Sequence, residues 1–113
     1  MFRHVACLKW NPDADAASKQ AFLDNFPSMA NNIPVIRSWT LGVDVGQGGE
    51  EHVAELGWPG NFDLGLTIEF DSPEGYAEYA HHPVHKEFLE NYAKPVLGER
   101  IAVQHHIEDH MQG

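Results

Sequence analysis

Apolar residues fall at strand spacing in four segments, two of them at the ends of the chain, and at helix spacing in the segments between. Phe2, His4, Ala6, Leu8 and Trp10 share one face of a strand over residues 2–10, by the period of two. Val5 and Cys7 make the middle of the other face apolar as well. Such a strand is covered on both sides; helices can cover one side, and a second copy of the chain is expected on the other. Pro12 and Asp13 punctuate, with Asp13 placed to cap a helix from near Ala14. Phe22, Phe26, Met29 and Ile33 then form one helical stripe. Pro27 lacks a backbone donor, which predicts a kink or restart, and Pro34 ends the element.

A second strand is expected over 35–45, with Val35, Trp39, Leu41 and Val43 on one face. The Gly-rich stretch 46–61 is longer than the usual hairpin loop of about 2–5 residues. A third strand over 62–70 follows, aligning Leu64, Leu66, Ile68 and Phe70. Ser72-Pro73-Glu74 reads as a helix start: a capping serine, a proline at the first helical position and an acid near the positive dipole end. That helix is expected to reach about Ala80, and another to run from Pro83 to about Ala93. Residues 100–108 make the last strand, with Ile101, Val103, His105 and Ile107 facing one way. The order β-α-β-β-α(α)-β is the split-βαβ plan. It predicts an α+β, ferredoxin-like domain over 1–113, with a four-stranded antiparallel sheet and strands one and three central.

Composition narrows the partners. The 113 residues hold 17 acidic against 7 basic side chains, a net charge of -10. Arg3, Lys9, Lys19, Arg37, Lys86, Lys94 and Arg100 are scattered, so neither nucleic acid nor an anionic membrane surface is an expected partner. The same field mildly opposes a strongly anionic ligand. The lone Cys7 allows no internal disulfide and no cysteine-based zinc site. Residues 1–10 show no signal-peptide core and no apolar run approaches the ~20 residues of a membrane span, so a cytoplasmic location is expected.

The chemistry concentrates between Tyr76 and His85. On the helix after Pro83, His85 shares a face with Phe88, Leu89 and Tyr92, and so points inward. Tyr79 shares a face with Tyr76 and Ala80, and His4 shares its strand face with Phe2, Ala6 and Leu8. An imidazole in an apolar cleft is kept neutral and available as a base. A tyrosine hydroxyl beside it can donate to a forming oxyanion. Together they suit proton abstraction next to a carbonyl without metal or cofactor. Buried histidines and tyrosines also serve simply as satisfied core residues.

These residues resemble a known family. His4-Val5-Ala6-Cys7-Leu8-Lys9-Trp10 is similar to the first strand of the stress-responsive A/B-barrel (Dabb) family, and Trp39-Thr40-Leu41-Gly42-Val43-Asp44-Val45 to its second. Phe70-Asp71-Ser72 through Tyr79, His82-Pro83 and His85 to Phe88 resembles its signature of a tyrosine followed by a His-Pro-x-His turn. The resemblance spans nearly the whole chain. It implies a homodimer whose sheets pair face to face into a barrel. The family includes plant stress-induced proteins and a plant polyketide cyclase that performs an aldol condensation without cofactor. By this resemblance His85 corresponds to the general base, Tyr79 to a carbonyl-orienting tyrosine and His4 to a further pocket histidine. His82, Phe88, Leu89, Tyr92 and Leu64 are then expected to contact a small carbonyl or apolar ligand. The plant cyclase has another pocket histidine where this chain has Leu64, and the stretch 46–61 is longer here.

Two other readings compete. The cavity could hold an apolar ligand without turnover, as in a binding or stress protein. The eight histidines also raise a haem or metal protein. Yet His81 and His82 should point apart around a turn, and His105 and His106 face opposite sides of a strand, leaving His110 beyond. A structural cation held by backbone carbonyls would leave no side-chain pattern. Leu56 and Trp58 either close over the cavity as a lid or anchor the Gly-rich stretch to the sheet or the partner. Cys7 faces away from His4 and reads as a small apolar residue.

Overall fold

A computed structural model describes residues 1–108, so His110 lies outside the described residues. Strand β1 (Phe2–Trp10) leads to helix α1 (Ala16–Asn31), β2 (Ser38–Val43), helix α2 (Glu50–Glu55) and β3 (Leu64–Phe70). Helices α3 (Pro73–His81) and α4 (Pro83–Phe88), a π-helical turn (Leu89–Ala93) and β4 (Leu97–His106) complete the order. The strands lie in the order β2-β3-β1-β4, every neighbour antiparallel. This is the expected ferredoxin-like α+β sheet with strands one and three central.

Register fixes which residues share a face. His4 sits opposite Ile68 and Gln104, Ala6 opposite Leu66 and Ala102, and Leu8 opposite Leu64 and Arg100. These residues look toward the helices. The core lies there: Phe22, Phe26, Met29 and Ile33 of the α1 stripe and its end are buried with Leu64, Leu66, Ile68 and Phe70. On the other side of the sheet Val5 and Cys7 are half-buried, while Ile101 and Val103 stay 57% and 56% exposed.

Several boundaries differ from the sequence expectation. Asp15, not Asp13, caps α1, accepting the Ser18 N–H at 2.7 Å. The helix continues through Pro27 without a restart. The missing donor there is outweighed by burial of Phe26 and Met29 on either side. Strand β2 begins at Ser38 rather than 35, because Ile33–Ile36 turns on the Ile36 N–H bond to the Ile33 carbonyl at 3.1 Å. Strand β3 starts at Leu64, and β4 begins early, at Leu97, and ends at His106. The Gly-rich stretch holds helix α2, entered through Gly49 with φ 84°. That left-handed backbone suits glycine alone among common residues. Among the described residues no helix is long and apolar enough to cross a membrane.

Candidate functional site

The site begins where α3 leaves β3. Ser72 caps α3, its hydroxyl accepting the Gly75 N–H at 3.4 Å. Gly75 lies directly over Phe70: a β-carbon there would come within 3.2 Å of the Phe70 Cβ. That close approach seats Tyr76 and Tyr79 against the Phe70 ring, at centroid distances of 5.9 and 5.5 Å. His82 then breaks the helix with extended backbone, as a residue before proline prefers. Its Nδ1 accepts the Val84 N–H at 3.1 Å, which starts α4. One turn on, the His85 ring stacks on Tyr79, centroids 4.1 Å apart and planes 33° from parallel.

His85 and Tyr79 line a cavity of about 240 Å³ between helices and sheet. Its floor is His4, Ala6, Leu8 and Leu66; Phe22 and Phe26 of α1 and Phe88 of α4 give it an aromatic wall. Leu89 and Ala93, first and last of the π-helical turn, also line it. Lys94 N–H reaches the Leu89 carbonyl at 2.8 Å across this turn, the wider bond that an inserted residue creates.

The two histidines are held in opposite tautomers. His85 Nδ1 faces the Ala80 carbonyl at 3.3 Å and so donates its proton there, leaving the Nε2 lone pair free. His4 Nδ1 accepts from the Gln104 side-chain amide at 2.9 Å, which puts its proton on Nε2. The same amide reaches Tyr76 Oη at 3.5 Å, and Tyr76 packs over His4 with centroids 5.0 Å apart. Burial, aided by the positive charge of Arg100 and by His85, lowers the His4 pKa from 6.5 to about 4. Burial likewise lowers that of His85, with Arg100 and His82 adding to the shift and the Ala80 hydrogen bond opposing it. Burial holds the Tyr79 phenol well above its ordinary value, and Tyr76 pushes it further up against Arg100. Near neutral pH the site thus offers a free imidazole lone pair, an imidazole N–H and a phenol O–H.

The structure therefore brings His4, Tyr79, His85, Phe88 and Leu89 together around one cavity. His82, Tyr92 and Leu64 stand apart from it. The His82 ring is engaged in capping α4, and Tyr92 packs on the far side of Phe88 beside Asn25 and Ser28. Leu64 is buried in the core one register step beyond Leu66. Gln104 and Arg100 escaped the sequence reading as site residues, and Tyr76 was read only as sharing the inward face of Tyr79. All three lie where parity or helical spacing could have placed them, since Gln104 pairs with His4 and Arg100 with Leu8. Leu56 and Trp58 are 50% and 64% exposed and do not line the cavity. His105 and His106 do face opposite sides, opposite Arg3 and Phe2 respectively.

Comparison with known proteins agrees with the fold. A dimeric ferredoxin-like protein of unknown function from Thermobifida fusca is 25% identical, with TM-score 0.75 over 94% of this chain and 90% of its own. A Dabb family protein from Mesorhizobium loti is 14% identical, with TM-score 0.72 over 96% of this chain and 97% of its own. A hydroxynitrile lyase from Passiflora edulis is 13% identical, with TM-score 0.75 over 98% of this chain and 96% of its own. No curated protein sequence matches the chain. The sequence model of the Stress responsive A/B Barrel Domain matches residues 2–106, and the chain belongs to this Dabb family.

Proposed function

We propose that the cavity carries out cofactor-independent acid–base chemistry on a small carbonyl compound, as a cyclase or isomerase, within a homodimer. The observation that carries this reading is the pair of opposite tautomers, a lone pair at His85 Nε2 and a proton at His4 Nε2, beside the protonated Tyr79. His85 Nε2 would take a proton from the carbon next to the carbonyl. The electrons move onto the carbonyl oxygen, where Tyr79 O–H and His4 Nε2–H donate to the enolate. An isomerase returns the proton at another atom; a cyclase lets the enolate carbon attack a second carbonyl of the same chain, whose oxygen is then protonated. The Dabb fold supports a lyase in Passiflora edulis, a likeness of fold alone.

The dimer reading rests on the uncovered face. Val5 and Cys7 of central β1 with Ile101 and Val103 of the edge strand β4 form an apolar strip on the side away from the helices. Neighbours of this fold are described as dimeric.

Exchange of the protons next to the carbonyl of methyl levulinate, followed by proton NMR in heavy water, tests the chemistry. Wild type is expected to accelerate exchange, His85→Ala to lose about 10²–10⁴-fold and Tyr79→Phe about 10²–10³-fold, both with the fold retained. Binding of the ester without accelerated exchange would sink the enzyme reading in favour of a ligand-holding protein.

A further inference from the structure

Among the described residues, Arg100 is the only Lys or Arg lining the cavity, and no carboxylate lines it. It sits opposite Leu8 in the β1–β4 register, on the sheet face that also carries His4 and Gln104. It is exposed while lining the cavity, which places it where the cavity opens to solvent. The other two arginines are committed: Arg3 to Glu69 and Arg37 to Asp71, each at 2.6 Å. Among the described residues Arg100 forms no ion pair, in a chain with 17 acidic residues. Among the described residues, an acid-rich chain thus leaves one guanidinium unpaired at the mouth of an apolar cavity, with paired N–H donors suited to an anion.

We propose that Arg100 binds a carboxylate on the substrate, so that the cavity takes oxo acids: carbonyl compounds with an anionic group at the end that meets solvent. This deepens, and rests on, the reading of the cavity as a carbonyl site. The guanidinium presents paired N–H donors that match a carboxylate's two oxygens. The acyl part then lies along the apolar wall of Phe22, Phe26 and Phe88, and the carbonyl reaches His4 and Tyr79. The positive charge is felt at His4, Tyr79 and His85 alike, lowering the proton affinity of each. The net charge of -10 repels anions in general, so Arg100 selects those that reach the mouth and carry the carbonyl.

Binding decides the matter independently of turnover. Levulinate and its neutral methyl ester differ in the charge and share the ketone. Titration of each into the full-length protein, followed by NMR of the His85 and Tyr79 side chains, is expected to show levulinate binding at least about ten-fold tighter. Arg100→Gln should erase that preference while still binding the ester. Lys86→Gln makes the same change in net charge at an exposed position outside the cavity and should leave the preference intact. Equal affinity in wild type, a preference surviving Arg100→Gln, or failure of both probes to bind would each overturn the proposal. A preference without proton exchange would instead sink the catalytic reading and leave the anion site standing.

Discussion

The two faces of β1 differ in what covers them. Toward the helices His4, Ala6 and Leu8 are 3%, 1% and 4% exposed; one residue along, Val5 and Cys7 are half-buried with Ile101 and Val103 open beside them. A sheet with one solvated face ordinarily puts apolar residues toward the helices and polar ones outside. In β4 that order is inverted. Arg100, Gln104 and His106 share the helix side, whereas Ile101 and Val103 lie outside. The inversion makes sense if the helix side borders a working cavity and the outer side is a contact surface. In this strand the polar Arg100 borders the cavity, and the apolar Ile101 and Val103 lie on the open face.

The comparison breaks most sharply at Phe70, fully buried on the helix side. Phe70→Ala should lower the unfolding free energy by about 3–5 kcal/mol, read from urea denaturation. A loss under about 1 kcal/mol would mean that this face is not the packed one.

The next effect is titration of His4. The folded protein holds it neutral down to about pH 4, whereas the unfolded chain takes up a proton near its ordinary 6.5. The unfolded state therefore binds more protons between these values. The contribution of His4 is fully present above pH 6.5 and is lost as the pH falls toward 4, about 3 kcal/mol in all. Urea curves at intervals across that range should show a shallower pH slope in His4→Gln than in wild type. Identical slopes would mean that His4 is not held neutral.

The outer face gives the third effect. Val103→Lys puts a charge in the apolar strip of the proposed interface, and the proposed dimer should weaken about 100-fold, roughly 2.7 kcal/mol, by sedimentation equilibrium. Because Val103 is 56% exposed in the single chain, the fold itself should survive. An unweakened dimer would move the interface elsewhere.

Much of the architecture was legible because it rests on strong periodicities. Period two gave the strands and their central pair, and the stripe from Phe22 to Ile33 gave the first helix. His85 was placed inward by its spacing from Phe88 and Leu89, both of which share its cavity. Helix α2 was not legible: its six residues carry no apolar stripe and sit among glycines that mimic a loop. Arg100 and Gln104 were missed because the apolar half of β4 draws attention while its polar half borders the cavity. His82, Tyr92 and Leu64 stand apart because spacing gives a face but not a depth. His82 is spent on a cap, and Leu64 lies one step beyond the cavity floor.

The π-helical turn at Leu89–Ala93 carries a consequence for insertions and deletions. Such a turn spends one residue more than an α-helix covering the same rise. Deleting Asn91 would remove that extra residue and let the segment close into regular α-helix, with the chain after it kept near its present orientation. Val96 and Leu97 would then keep their places and Arg100 its step opposite Leu8, while the cavity wall between Leu89 and Ala93 tightens. A one-residue deletion between 46 and 49 falls among exposed positions that do not line the cavity. A residue lost within the turn therefore changes the shape of the cavity wall, whereas one lost from the glycine-rich stretch leaves the cavity lining untouched.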